Sequence, residues 1–479
     1  KASVESRAKL NKKKISNLYS DFEKLSFIKD QINLDVKALH NLELVFDQTL
    51  KVKKYIYNLD GQLDNSTINL ETKIDETILP NKINYIQIDK TKFLLNLNNN
   101  NKNSFLIEGL YKINKGKINK FTIKNKFSKI ISNINLDFEF NELVKIPILN
   151  YEKNEKIIAN INSDIILKKN IINIVNLDYR ENQSMLSIKD LIISKKGYLN
   201  NFKSIKVQTD NNDLKILLGN ELKIIGNKYD AKNLSKLLNE KKKSIYLNKI
   251  NKKIIIKIDK IKTSFEKDLK NFNLHGKIDK GRFTKINSKG EFDKNNFLDI
   301  SLSKDIISNK SFLEIFSDFP EPLLSEYSFF KGLSGGKLIF TSSYKDINSD
   351  SKLIIEDFKL INAPGFMKLL TLADLGGMAD LLSGDGISFN KMEMNFSNNG
   401  KTLNLNDLYA IGPSISILLD GYVDSGSGLV SLRGTMVPAR NLNKFLSKIP
   451  IVGKIIIPKE IGEGLFGVSF KMKGTPKNI

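Results

Sequence analysis

His40 and His275 are the only two imidazoles in 479 residues, and each stands alone in a strand-like or loop-like stretch. A metal centre needs three or four ligands at matched spacing, so both histidines read as structural. Cysteine is absent, which excludes disulfides, thiolate metal sites and cysteine nucleophiles. Gly332-Leu333-Ser334-Gly335-Gly336 is glycine-rich, but it leads into a strand-like run, Lys337 to Phe340. A phosphate cradle presents its anion to a helix N-terminus, so this loop reads as a tight turn. Asp318 and Glu321 are two neighbours among 53 carboxylates and have no partner base. No Walker loop and no Gly-x-Ser-x-Gly elbow is present. The residues supply no catalytic constellation, so the chain is read as a non-enzyme with no cofactor and no metal.

Bulk chemistry narrows the remaining classes. The formal charge is +23, from 76 Lys and Arg against 53 Asp and Glu. The excess is almost all lysine, accompanied by runs of Asn and Ile such as Asn98 to Asn101. It is spread over the first three quarters of the chain, not gathered on one segment, so a nucleic-acid surface is not expected. Hydrophobic residues make up 41%, enough to bury a large surface in two or three domains or one repetitive body. No apolar run approaches the ~18 residues of a transmembrane helix, and no signal peptide is visible at Lys1. The chain opens without Met and ends abruptly, so it reads as a piece of a longer protein whose anchor lies elsewhere.

The elements that would position any function are mostly strands. Residues 1–30 read as a short basic helix, with Leu10, Ile15, Leu18, Tyr19, Phe22 and Leu25 at three- and four-residue steps. From 31 the period changes to two, as in Ile158 to Asn162, Lys252 to Asp259, and Leu298, Ile300, Leu302. Runs of four to eight residues are punctuated by Asp60-Gly61, Asn114-Lys115-Gly116, Lys196-Gly197 and Asn399-Gly400, as hairpins require. Near Gly226 a strand is expected to end and a short helix to follow through Leu234, Leu237 and Leu238, capped by Asp230. Residues 31–240 and 241–360 thus read as continuous repetitive sheet. Residues 361–479 differ and hold 16 of the 28 glycines. Two apolar helices are expected there, one after Ala363-Pro364 and one after Pro438.

The last region carries a specific pattern. Ala363-Pro364 precedes the first helical stretch and Gly384-Asp385-Gly386-Ile387 follows it. A Gly434-Thr435-Met436-Val437-Pro438 turn comes next, then Leu442-Asn443 and Ile449-Pro450 with Gly453. Gly462-Glu463-Gly464 with Gly467-Val468 closes the series. In order and type these elements resemble the C-terminal signature of the AsmA-like family of bacterial envelope proteins, of the YhdP type. The likeness is specific from about Leu323 to Gly474, and the stretch at Tyr229-Asp230-Ala231 looks like the family's upstream domain. Ile457-Pro458-Lys459 departs from the family, which usually has Gly-Gly after the second helix.

The resemblance implies a mostly β fold: an elongated, curved antiparallel repeating β-groove, similar to TamB and to eukaryotic bridge-like lipid-transfer proteins. It implies a periplasm-exposed protein of the cell envelope, held in the inner membrane by an N-terminal helix in the full-length form. Its partners would be phospholipid and bacterial membranes, and its role phospholipid transfer toward the outer membrane. The alternative is a structural or assembly protein with a sealed core and no lipid. Ile415, Ile417 and Leu419, with Phe466, Val468, Phe470 and Met472, alternate at period two and are candidates for the groove lining. Packing against the two helices is the other reading. Candidates for membrane contact are Phe366, Met367, Leu369, Leu370, Leu372 and Leu375 in the first helix. In and after the second they are Leu442, Phe445, Leu446, Ile449, Ile451, Val452, Ile455 and Ile456. These apolar faces suit an interfacial segment or a plug over the sheet's open end.

Overall fold

A computed structural model describes residues 1–11, 28–70, 77–100, 102–168, 171–194, 199–234, 251–263, 267–324, 327, 330–362, 384–438 and 468–474. The chain divides into two compact units, Lys1–Lys249 and Ile250–Ile479. Residues 241–360 and 361–479 therefore fall almost wholly within one unit. Both units are built from antiparallel strands, and none of the described helices is long and apolar enough to cross a membrane.

In the first unit the strands are β1 (Ala2–Leu10), β2 (Ile28–Phe46), β3 (Val52–Leu70), β4 (Tyr85–Asn98), β5 (Asn103–Ile113), β6 (Ile118–Phe127) and β7 (Ser132–Phe140). They continue as β8 (Val144–Ile146), β9 (Tyr151–Lys153), β10 (Ala159–Leu167), β11 (Ile171–Glu181) and β12 (Ser184–Ser194). The unit ends with β13 (Leu199–Asn201), β14 (Ser204–Gln208), β15 (Asp213–Leu218) and β16 (Glu221–Asp230). Each long strand pairs with its neighbour in sequence. The exception is β7, which pairs with β10 and leaves β8 and β9 as a separate ribbon. This is the simplest topology hairpin punctuation can give.

The second unit repeats the plan. Its strands are β17 (Lys252–Lys262), β18 (Leu269–Asp279), β19 (Arg282–Asp293), β20 (Asn296–Lys304), β21 (Ser311–Ser317) and β22 (Leu333–Lys345). They continue as β23 (Asn348–Leu360), β24 (Ile387–Asn398), β25 (Thr402–Ile411), β26 (Ile415–Asp424), β27 (Val430–Pro438) and β28 (Val468–Gly474). Helical structure among the described residues amounts to a 3-10 turn, Pro147–Leu149, and one short turn, Glu321–Leu324.

Several sequence expectations are corrected. The N-terminal segment is not helical where it is described. Ala2–Leu10 is a strand paired residue for residue with β2, from Ala2↔Leu42 to Leu10↔Leu34. Its alternation of Ala2, Val4, Ser6, Ala8 and Leu10 with Ser3, Glu5, Arg7 and Lys9 has period two, and only Leu10 belonged to the helical stripe. The rest of that stripe lies outside the described residues. Asp60-Gly61 is not a turn but the middle of the 19-residue β3. Gly61 is needed there because a Cβ would sit 2.2 Å from the Phe93 ring. The strand at Gly226 does not end but runs to Asp230. Gly226 marks a bulge opposite Asp213 and Leu214, where a Cβ would meet the Asp213 carbonyl. Asp230 is buried, and its carboxylate accepts from the Lys232 amide at 3.1 Å and Asn150 Nδ2 at 3.0 Å. Leu237 and Leu238 lie outside the described residues, as do both expected C-terminal helices.

Candidate functional site

Directly paired residues of antiparallel strands point to the same face of a sheet, so register fixes which side chains line up. In the first unit one line crosses every long strand: Ser6, Ala38, Gly61, Phe93, Ile107, Ile123, Leu136, Ser163, Leu177, Ile188, Ile205, Ile216, Ile224. The line one residue over, on the opposite face, runs Arg7, Lys37, Gln62, Lys92, Glu108, Thr122, Asp137, Asn162, Asp178, Ser187, Lys206, Lys215. The period-two alternation of each strand is thus summed by register into one apolar and one polar face.

The second unit does the same. Its apolar line is Ile256, Leu274, Ser288, Ile300, Ile315, Phe340, Leu353, Met394, Leu408, Leu419, Gly434, Phe470. The groove candidates lie on this face. Ile417 pairs through Met436 to Val468, and Leu419 through Gly434 to Phe470. Met472 joins Gly421 through Leu432. Ile415 lies on the same face, since it alternates with Ile417, and it is fully buried. The two sets, about 50 residues apart in sequence, therefore form one patch. Phe466 and all the membrane-contact candidates, Phe366 to Leu375 and Leu442 to Ile456, lie outside the described residues. The strands that lead to them do not: Leu360 pairs with Ile387, and Ile415 with Pro438. Both connections therefore leave and rejoin the same edge of the sheet.

The two apolar faces differ in burial. In the second unit Leu338, Leu353, Ile355, Phe358, Ile387, Phe389, Met392, Leu408, Ile415, Ile417, Leu419, Met436 and Phe470 form one buried cluster, joined by Leu324 and Leu333. Phe358 and Phe389 stack at 5.2 Å. In the first unit Phe93, Ile107, Ile123, Leu136, Leu177, Ile188, Ile205, Ile216 and Ile224 are only half-buried. There the face holds a cavity of about 370 Å³ lined by Ile68, Ile83, Ile86, Ile88, Tyr111, Ile113, Phe121, Ile123, Leu136, Phe138 and Phe140, with Thr122 and Asp137 also at its wall. Sequence reading missed these residues. Their signal was the aromatic alternation Phe121/Ile123 and Phe138/Phe140.

One edge of the first unit's sheet is bound by residues 141–158. The Leu149 carbonyl accepts from Asn212 Nδ2 at 2.7 Å, and the Ile148 carbonyl from the Tyr229 hydroxyl at 2.9 Å. At the other end the Lys145 amide donates to the Ile78 carbonyl at 2.9 Å. Behind it the Tyr151 hydroxyl donates to Glu181 at 2.7 Å and lies 2.8 Å from the Tyr179 hydroxyl. Burial raises the Tyr151 and Tyr179 pKa values, the latter to about 12. Lys153 is fully buried and donates to the Asn154 and Ile157 carbonyls. Loss of hydration lowers its pKa, against the pull of Glu181, Glu142 and Glu155.

The residues with catalytic chemistry have structural work. His40 bonds Tyr57 at 2.7 Å and Ser6 at 2.6 Å. Asp318 accepts from the Phe297 amide, and Glu321 from the Gly335 amide. Glu393, buried on the second unit's polar face, receives the Tyr409 hydroxyl at 2.7 Å and sits between Lys352 and Lys391. Burial works to raise its pKa, but the Lys352 and Tyr409 bonds and the two lysine charges hold it below the ordinary value. No group of three or more His, Cys, Asp or Glu able to hold a metal occurs among the described residues.

Face and fold together define an antiparallel β-meander with one continuous apolar side in each unit. No protein-family model matches the sequence, and no curated protein matches it.

Proposed function

We propose that the apolar face of this chain carries the acyl chains of phospholipid, in an AsmA-like, YhdP-type protein that moves lipid through the periplasm of a bacterial cell envelope. The observation that carries the proposal is the first unit's half-buried apolar line, unbroken by charge from β2 to β16. In water such a face is costly, at about 25 cal/mol per Å² of apolar surface, and soluble proteins rarely leave contiguous patches of that kind without a partner. An acyl chain is a suitable cover, since each buried methylene gains about 0.8 kcal/mol. The opposite face, rich in Lys, Asp and Asn, stays hydrated, so the sheet would act as a repeating β-groove with one greasy and one wet side. The C-terminal resemblance supports the same class and adds the membrane as the place where lipid enters or leaves.

The second reading, an envelope structural protein with a sealed core, is favoured by the second unit, where more of the same face is buried. Mass spectrometry of lipids that co-purify in a mild preparation separates the two. Lipid carriage predicts phospholipid in stoichiometric or higher amounts, reduced by Ile188→Asp. A chain that purifies folded and free of lipid supports the structural reading.

A further inference from the structure

The first unit has a second feature that acyl-chain carriage does not require. In a meander every other hairpin lies at the same edge of the sheet. The β2–β3, β4–β5, β6–β7 and β10–β11 hairpins share the edge opposite residues 141–158. Two of the tips at this edge are apolar, whereas the β4–β5 tip carries Asn99, Asn100 and Lys102 and bonds back to the Lys53 carbonyl through Asn99 Nδ2 at 2.8 Å. Leu50 is 83% exposed and Ile130 76%, with Phe46 and Val52 more than half exposed beside Leu50. Hairpin tips normally carry Gly, Asn or Asp.

The turns are firmly built. Asp47 Oδ1 accepts from the Thr49 amide at 2.7 Å, the Thr49 hydroxyl at 2.8 Å and the Lys51 amide at 3.1 Å. Ser128 Oγ accepts from the Ile130 and Ile131 amides at 3.3 Å. The polar groups of each turn are thus used within it, and the apolar side chains are left to point out. Leu50 also holds φ at +58°, a left-handed conformation that Gly or Asn adopts at lower cost. Among the described non-glycine residues at positive φ, Leu50 alone has an apolar side chain, and strain of this kind clusters at functional sites.

The same edge is one-sided in charge. Lys51, Lys53 and Lys54 flank the β2–β3 tip, Lys126 and Lys129 the β6–β7 tip, and Lys168 the β10–β11 tip, all exposed. Among the described residues none of the six is in an ion pair. The carboxylate at the tips, Asp47, is committed to its own turn, which holds its pKa low through the Thr49 hydroxyl and amide bonds.

We propose that this edge docks on an anionic phospholipid bilayer, with Leu50, Phe46 and Ile130 entering the headgroup boundary and the lysines contacting the lipid phosphates. Apolar side chains ringed by lysine are what an anionic interface binds. Nucleic acid would use the lysines but leave the apolar tips unsatisfied. The inference is independent of acyl-chain carriage, since a sealed structural protein could dock in the same way.

The chain has no tryptophan, so one introduced at a tip reports that tip alone. The full chain carrying Leu50→Trp is mixed with vesicles of phosphatidylcholine, with and without one third phosphatidylglycerol. Lys115→Trp, in the exposed turn at the opposite edge, is the control. The expected result is a blue shift and quenching by brominated acyl chains for L50W on anionic vesicles only, and no shift for K115W. Replacing Lys51, Lys53 and Lys54 together with Gln lowers vesicle affinity on the order of a hundredfold. Leu50→Asn, which relieves the left-handed strain, keeps the melting temperature and weakens binding. An unshifted L50W, equal shifts at both positions, or a L50W response to a DNA duplex with none to vesicles overturns the proposal.

Discussion

The two units share one topology and one pattern of alternation, yet treat their apolar faces differently. In the second unit Leu274, Leu353, Leu408, Leu419 and Phe470 of that face are buried, while Ile256, Ile300, Ile315, Phe340 and Met394 on the same line are half-buried. In the first the large side chains of the central line, such as Ile107, Ile123, Ile188 and Ile224, are half-buried, and those that are buried lie nearer the strand ends, such as Leu63, Ile113, Val207, Leu214 and Leu222. The composition of the two lines is similar, so hydrophobicity is not the cause. The second unit has Leu324 from the β21–β22 connection, with Leu323 and Phe330 of the same connection packed against the cluster. In the first unit the corresponding long connection, residues 141–158, bonds along the strand ends instead. The lesson is that alternation sets which face is apolar, while the connections decide whether it is sealed.

The comparison breaks most visibly with a charge. Leu408→Asp in the second unit buries an unpaired carboxylate and should abolish cooperative unfolding of that unit, whereas Ile188→Asp in the first leaves a folded chain; circular dichroism melts distinguish them. Equal loss in both would mean that the first unit is sealed as well. Next in size, Leu408→Ala should cost about 2–5 kcal/mol through lost burial and a cavity. A third test uses the buried carboxylate of the second unit. Glu393→Ala should cost about 1–3 kcal/mol, since the Tyr409 hydroxyl loses its acceptor in a buried site. The folded Glu393 titrates below its unfolded value, so its stabilisation is full above the unfolded pKa and is lost as pH falls through the folded one. Glu393→Gln should therefore flatten the fall in melting temperature below roughly pH 4.5. The smallest effect is expected for Ile188→Ala in the first unit, about 1 kcal/mol in denaturant melts.

Much of this was legible in the sequence. Period-two runs at Ala159 to Asn162, Lys252 to Asp259 and Leu298 to Leu302 lie in strands β10, β17 and β20, with Ile158 just before the first, and Asn114 to Gly116 and Asn399-Gly400 are turns. The alternation of Ile415, Ile417 and Leu419 with that of Val468, Phe470 and Met472 did place both sets on one face. Register was not legible, because it depends on bulges such as those at Asp89/Lys92 and Asp164/Ile165, which no single strand announces. Glycines misled where the cause was a neighbour: Gly61 makes room for Phe93 rather than for a turn. The helical spacing around Leu10 hid a strand, because short apolar sets fit both periods. Ile417→Asp would report on folding rather than on a groove, because Ile417 is buried within the second unit's core.

The central claim is that lipid contacts one face of the first unit and not the other. Adjacent residues of β12 offer the cleanest comparison, since Ile188 and Ser187 lie on opposite faces at the same depth in the sheet. A photo-crosslinking amino acid placed at each position in turn, followed by irradiation in cells and mass spectrometry of the purified chain, tests it directly. A phospholipid adduct at position 188 and none at 187 is the predicted result. Adducts at both positions, or at neither, would contradict it.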